Sequence, residues 1–125
     1  MKTVLLVDDE HAIIDALSGI LEDEGFRVVT ASNGRDALVC LETMSPLPDV
    51  ALVDVMMPVM DGRELLERLR GDPRWSRIPV VMMSAVPRTI LWKDSQLAAE
   101  DFFQKPFDLW QLIDRLRELS GESKE

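Results

Sequence analysis

A chain of 125 residues can bury well over half of its unfolded surface around one core, so it needs neither a metal nor a disulfide to fold. Fourteen basic against 23 acidic residues leave a net charge of −9, which repels nucleic acid and anionic membrane and argues against direct binding to either. Cys40 has no second cysteine to pair with, no apolar run approaches the ~20 residues of a membrane span, and no charged n-region with an apolar h-region precedes the first acidic pair; the expected setting is reducing and cytoplasmic.

Five short apolar runs alternate with amphipathic stretches. "TVLLV" (3–7) reads as a strand, followed by a helix over about 10–24 with Ile13, Leu17, Ile20 and Leu21 on one face and Gly25 as its stop. "FRVVT" (26–30) leads to a helix over 33–43 with Ala37, Leu38 and Leu41 inward, and "DVALV" (49–53) to one over 62–70 with Leu65, Leu66 and Leu69 inward. "RGDPRWSRIP" (70–79) is the longest loop candidate, punctuated by Pro73 and Pro79. "PVVMM" (79–83) precedes the least regular helix, over about 88–99. "DFFQ" (101–104) precedes the last helix, which starts at the N-cap Asp108 and carries Leu109, Leu112, Ile113, Leu116 and Leu119. Residues 1–120 thus form one domain, and 121–125 a polar tail.

Runs this apolar are buried on both faces, which predicts a parallel sheet between two helical layers. Right-handed crossovers make it a doubly wound, flavodoxin-like α/β fold with strand order 2-1-3-4-5. Ligands in such sheets bind beyond the carboxyl ends of the strands, near the switch in strand order. There the first strand emits Asp8 and Asp9, the third Asp54, the fourth Ser84, and the fifth Lys105 followed by Pro106.

Each Asp taken singly has a bland reading as a helix cap or turn residue. Together, three carboxylates repel one another unless a cation sits among them, and oxygen ligands without His or Cys point to Mg2+ or a similar ion. Mg2+ keeps waters and leaves room for a phosphate oxygen; Lys105 adds positive charge and Ser84 a hydrogen-bond donor. A carboxylate held in line with such a group can act as nucleophile and become an aspartyl phosphate, which assigns Asp54 a role.

These residues carry a resemblance. "VLLVDDE", "LVDVMMPVMDG", "VVMMSA" and "DFFQKPF" resemble, in order and spacing, the receiver domain of bacterial two-component response regulators over nearly the whole chain. The resemblance implies that Asp54 is the phosphoacceptor for a sensor histidine kinase or phosphotransfer protein. It implies that Asp9, Asp54 and the backbone carbonyl of Met56 bind Mg2+ directly, Asp8 through water, and that Ser84 and Lys105 contact the phosphoryl oxygens. It also implies a cis Lys105–Pro106 bond and a switch aromatic at Phe102. Phosphorylation would then reshape the surface of helix 4, strand 5 and helix 5, controlling a partner or output domain, with homodimer formation through that surface left open. Three positions depart from the pattern or qualify it: Ala98 stands where Gly often ends helix 4, and Met56 and Val86, two residues after Asp54 and Ser84, are apolar, which suggests a long-lived phosphoryl group.

Trp92 and Trp110 lie off their helices' apolar stripes and read either as half-buried edge residues or as part of an output surface with Phe102. His11 is expected to face solvent, Cys40 to be a small buried hydrophobe, and Met82 and Met83 to be core. Two other functions compete. A Mg2+-dependent aspartyl-phosphate hydrolase places a second Asp two residues after its nucleophile, where this chain has Met56. A phosphorylation-independent interaction domain would not need all of Asp8, Asp9, Asp54, Ser84 and Lys105. The expectation is therefore a signalling switch, not an enzyme.

Overall fold

In a computed structural model of the chain, which describes residues 1–92 and 98–121, strands and helices alternate from end to end. The order is β1 (Thr3–Val7), α1 (His11–Asp23), β2 (Arg27–Ala31), α2 (Gly34–Thr43), β3 (Val50–Asp54), α3 (Gly62–Gly71), β4 (Val80–Ser84), α4 (Arg88–Leu91), β5 (Asp101–Gln104) and α5 (Leu109–Ser120). All pairings are parallel and the sheet order is β2-β1-β3-β4-β5, as the alternation predicts.

The strands divide their side chains between two cores. Leu5, Val7, Ala51, Val53 and Met82 pack with Ala37, Leu41, Leu65 and Leu69 of α2 and α3. Val4, Leu6, Leu52, Val81 and Met83 pack with Leu17, Leu21, Leu112, Ile113 and Leu116 of α1 and α5. Adjacent residues of one strand therefore enter opposite layers, which is why the central strands β1, β3 and β4 are almost continuously apolar.

Three strands begin and end one residue later than expected. Phe26 is drawn out of β2 because it completes the stop of α1: its N–H bonds to the Leu21 carbonyl, and the N–H of Gly25, at φ 95°, bonds to that of Glu22. This is a Schellman closure, and Phe26 packs with Leu21 in one core as the motif favours. At the other ends, Val55 N–H continues the ladder to the Met83 carbonyl and Lys105 N–H to that of Ser84, so Asp54 and Ser84 are the last residues of β3 and β4.

The helix expected over 88–99 is also shorter. Regular helix covers Arg88–Leu91, the expected stretch over 93–97 lies outside the described residues, and Ala98 and Ala99 are not helical. There the Ala98 carbonyl accepts from Arg70 Nε and Glu100 N–H already pairs with the Val80 carbonyl, so the chain is turning into the sheet. Gly121 closes α5 at φ 79°, and residues 122–125 of the expected tail lie outside the described residues. No described helix is long and apolar enough to cross a membrane.

Candidate functional site

The carboxyl edge of the sheet gathers every residue that the strand ends were expected to emit. Asp8 is fully buried behind β1 and Asp9 beside it is exposed; Asp54 and Ser84 are buried at the ends of β3 and β4. Carboxylate oxygens of Asp8, Asp9 and Asp54 lie within 4.8 Å of one another. Lys105 Nζ reaches in from beyond β5, 3.5 Å from Asp8 Oδ2 and 3.7 Å from Asp54 Oδ1.

Asp8 makes a different contact with each of its oxygens. Oδ1 accepts from Glu10 N–H at 2.9 Å, a local turn at the start of α1, while Oδ2 faces Lys105. Ser84 Oγ accepts from Val86 N–H at 3.1 Å, which leaves its hydroxyl proton free to donate. The Lys105–Pro106 bond is cis, as the resemblance implies.

One ammonium among three carboxylates leaves a negative excess around the buried Asp8 and Asp54. Burial first, and then the Asp8 charge, push the Asp54 carboxyl up to about 6; Lys105 opposes the shift, Asp9 adds to it, and a hydrogen bond from the Met56 backbone opposes it. A small divalent cation fits this donor set: the ligands are hard oxygens without His or Cys, they converge from two strands, and a double positive charge offsets the excess.

Two glycines that sequence reading assigned no close approach hold the loop after Asp54. A Cβ on Gly62 would stand 2.5 Å from the Asp54 carbonyl oxygen, and one on Gly34 2.8 Å from the Met60 carbonyl oxygen, to which Gly34 also donates its N–H. Between them Met60 N–H bonds back to the Pro58 carbonyl around Val59, whose φ of 69° is a strained conformation for a β-branched residue. The Asp-Gly and Asn-Gly pairs before α3 and α2 are the only traces of this in the sequence.

The residues expected on the output surface are not equivalent. Trp92 is half-buried rather than free of its neighbours: its ring meets Phe102 edge to face, with centroids 6.0 Å apart and planes at 79°. Trp110 is exposed on α5. His11 is exposed, and Cys40 is half-buried with its Sγ 3.9 Å from the Thr30 carbonyl oxygen.

The fold and the acidic edge together define a class, and comparison with known proteins agrees. The chain belongs to the response regulator receiver domain family, whose pattern it matches over residues 4–117. It is 38% identical over 127 residues to the transcriptional regulatory protein CpxR homolog of Haemophilus influenzae, covering 98% of this chain and 52% of that one. The signal receiver domain of a signal transduction histidine kinase from Syntrophus aciditrophicus superposes with a TM-score of 0.86 at 30% identity, covering 100% of this chain and 94% of the other. The response regulator TrrA of Thermotoga maritima, solved in complex with Mg2+–BeF, gives 0.82 at 28%, covering 95% and 99%. The chain spans about half the length of the curated relatives it matches.

Proposed function

We propose that the chain is a phosphorylation-dependent switch in which Asp54 takes a phosphoryl group from the phosphohistidine of a sensor histidine kinase or phosphotransfer protein. The observation that carries this reading is a buried Asp54 carboxylate with a lysine ammonium 3.7 Å away and two further carboxylates beside it. The Asp54 oxygen forms the new bond to phosphorus as the donor's phosphorus–nitrogen bond breaks, and the leaving imidazole nitrogen takes up a proton.

Asp9, Asp54 and the Met56 carbonyl would hold Mg2+ directly, with Asp8 acting through water. When bound, the ion offsets carboxylate charge and polarises a phosphoryl oxygen. Lys105 supplies the second positive charge for the incoming group, and the free Ser84 hydroxyl proton a donor to one of its oxygens. TrrA, solved with Mg2+–BeF, supports the cofactor assignment.

The new charge draws Ser84 toward the phosphoryl group, and Phe102 follows. Having no hydroxyl, Phe102 transmits the change by shape, through its contact with Trp92, to the surface of α4, β5 and α5 that a partner, an output domain or a second copy reads. Met56 occupies the position where a hydrolase would place its acid–base Asp, so the phosphoryl group is stored rather than turned over. Beryllofluoride with Mg2+ tests the reading: it should raise the melting temperature of the wild type and leave Asp54→Ala unaffected. Equal stabilisation of both proteins would contradict it.

A further inference from the structure

Lys105 can serve the site only if β5 sits in one register, and the strand's own apolar pattern specifies that register weakly. β5 is an edge strand of four residues with β4 as its one neighbour. Its two apolar residues are adjacent, Phe102 packing into one core and Phe103 into the other. A one-residue slip in either direction still presents a phenylalanine to one of the two layers, so burial discriminates poorly. The same slip would carry Lys105 about 3.3 Å along the strand and turn its side chain to the opposite face.

The beginning of the strand carries polar contacts that a slip would break. Glu100 N–H bonds to the Val80 carbonyl, and Glu100 Oε1 accepts from Val80 N–H at 2.6 Å and from Arg70 Nη2 at 2.8 Å. Arg70 spends its other donors on the same junction: Nε on the Ala98 carbonyl at 2.9 Å, and Nη1 on the carbonyls of Ile78 at 2.8 Å and Ser76 at 3.2 Å. From α5, on the other side of the sheet, Arg115 holds Asp101 Oδ2 at 2.8 Å and the Glu100 carbonyl at 3.3 Å. A guanidinium fork satisfied by three carbonyls and a carboxylate has one geometry in which all its bonds are made.

We infer that Arg70, acting through Glu100, is a positioning residue for Lys105: it locks the register of β5 at one end so that the ammonium arrives at Asp8 and Asp54 at the other. The inference rests on the phosphoryl-binding role proposed above for Lys105.

The test compares Arg70→Ala with Arg117→Ala, which removes an equally exposed arginine on α5 that is ion-paired to Glu24, away from β5. Each protein is titrated with Mg2+ alone and with Mg2+ plus beryllofluoride, with folding checked by circular dichroism and melting. Both variants should melt lower than the wild type. Arg70→Ala should bind beryllofluoride about tenfold more weakly, the size of one charge-assisted hydrogen bond, while binding Mg2+ no more weakly than the wild type. Arg117→Ala should keep wild-type affinity for both. If Arg70→Ala is too unstable, Glu100→Gln, which keeps an acceptor for Val80 but loses the charge facing Arg70, should show the same split at smaller size. Unchanged beryllofluoride affinity in Arg70→Ala and Glu100→Gln, or equal losses in Arg70→Ala and Arg117→Ala, overturns the inference alone. A wild type that binds no beryllofluoride overturns the phosphoryl reading and the inference with it.

Discussion

Gly62 lies against Asp54 so closely that a Cβ there would stand 2.5 Å from the Asp54 carbonyl oxygen and 2.9 Å from Val55 Cα. The start of α3 and the end of β3 are in backbone contact, fastened by Gly62 N–H to the Val55 carbonyl at 2.8 Å. Gly62→Ala must push backbone as well as the flexible tip of Met82. It should cost about 1–3 kcal/mol in urea unfolding and weaken binding of Mg2+–beryllofluoride. Wild-type values for both would show that the contact relaxes freely.

Lys105 neutralises the carboxylates that a cation would also use. Lys105→Met should therefore have opposite effects on two ligands: tighter binding of Mg2+ alone, because a competing positive charge is gone, and loss of most affinity for beryllofluoride. Calorimetric titration with each ligand reads the two signs separately. Weaker binding of both would mean that Lys105 acts mainly by holding the loops.

Without a divalent cation, stability should fall as pH rises through the range in which Asp54 ionises. Its folded carboxyl is pushed up to about 6 from 3.8, so between those values the folded state holds a proton that the unfolded state has released. The stabilisation is full below about pH 4 and lost above about pH 6, and amounts to at most about 3 kcal/mol. The difference in unfolding free energy between wild type and Asp54→Asn, measured at pH 4.5 and 7.5, isolates this group. The wild type should lose ground relative to the variant at the higher pH, and saturating Mg2+ should remove most of the difference.

Met56 is half-exposed and apolar two residues beyond Asp54, and offers no group to orient water. Met56→Asn supplies an amide there and should shorten the lifetime of phosphorylated Asp54 several-fold, followed as the decay of the added mass after the phosphodonor is removed. An unchanged decay would remove the explanation of a long-lived phosphoryl group.

How much of this was legible in the sequence depends on whether a feature is periodic or long-range. Strand and helix order, the sheet topology and the convergence of Asp8, Asp9, Asp54, Ser84 and Lys105 follow from apolar runs and from the rule for where parallel sheets bind ligands. The one-residue offset of β2 follows from the cap at Gly25, which takes Phe26 out of the strand, and a cap cannot be placed by periodicity alone. The loop candidate over 70–79 conceals Trp75, which is buried, with Arg74 over its ring and in turn ion-paired to Glu42 and Asp72. Such side-chain pairs across tens of residues, like Arg70 with Glu100, leave no local mark. The same holds for Trp92, whose off-stripe position gave no sign that its ring meets Phe102.

The most direct test of the central claim is intact mass after incubation with acetyl phosphate and Mg2+, with Asp54→Ala and a chelator-treated sample in parallel. The account predicts one added phosphoryl group on the wild type and none on either control. Addition that persists in Asp54→Ala, or no addition to the wild type under any of these conditions, would contradict it.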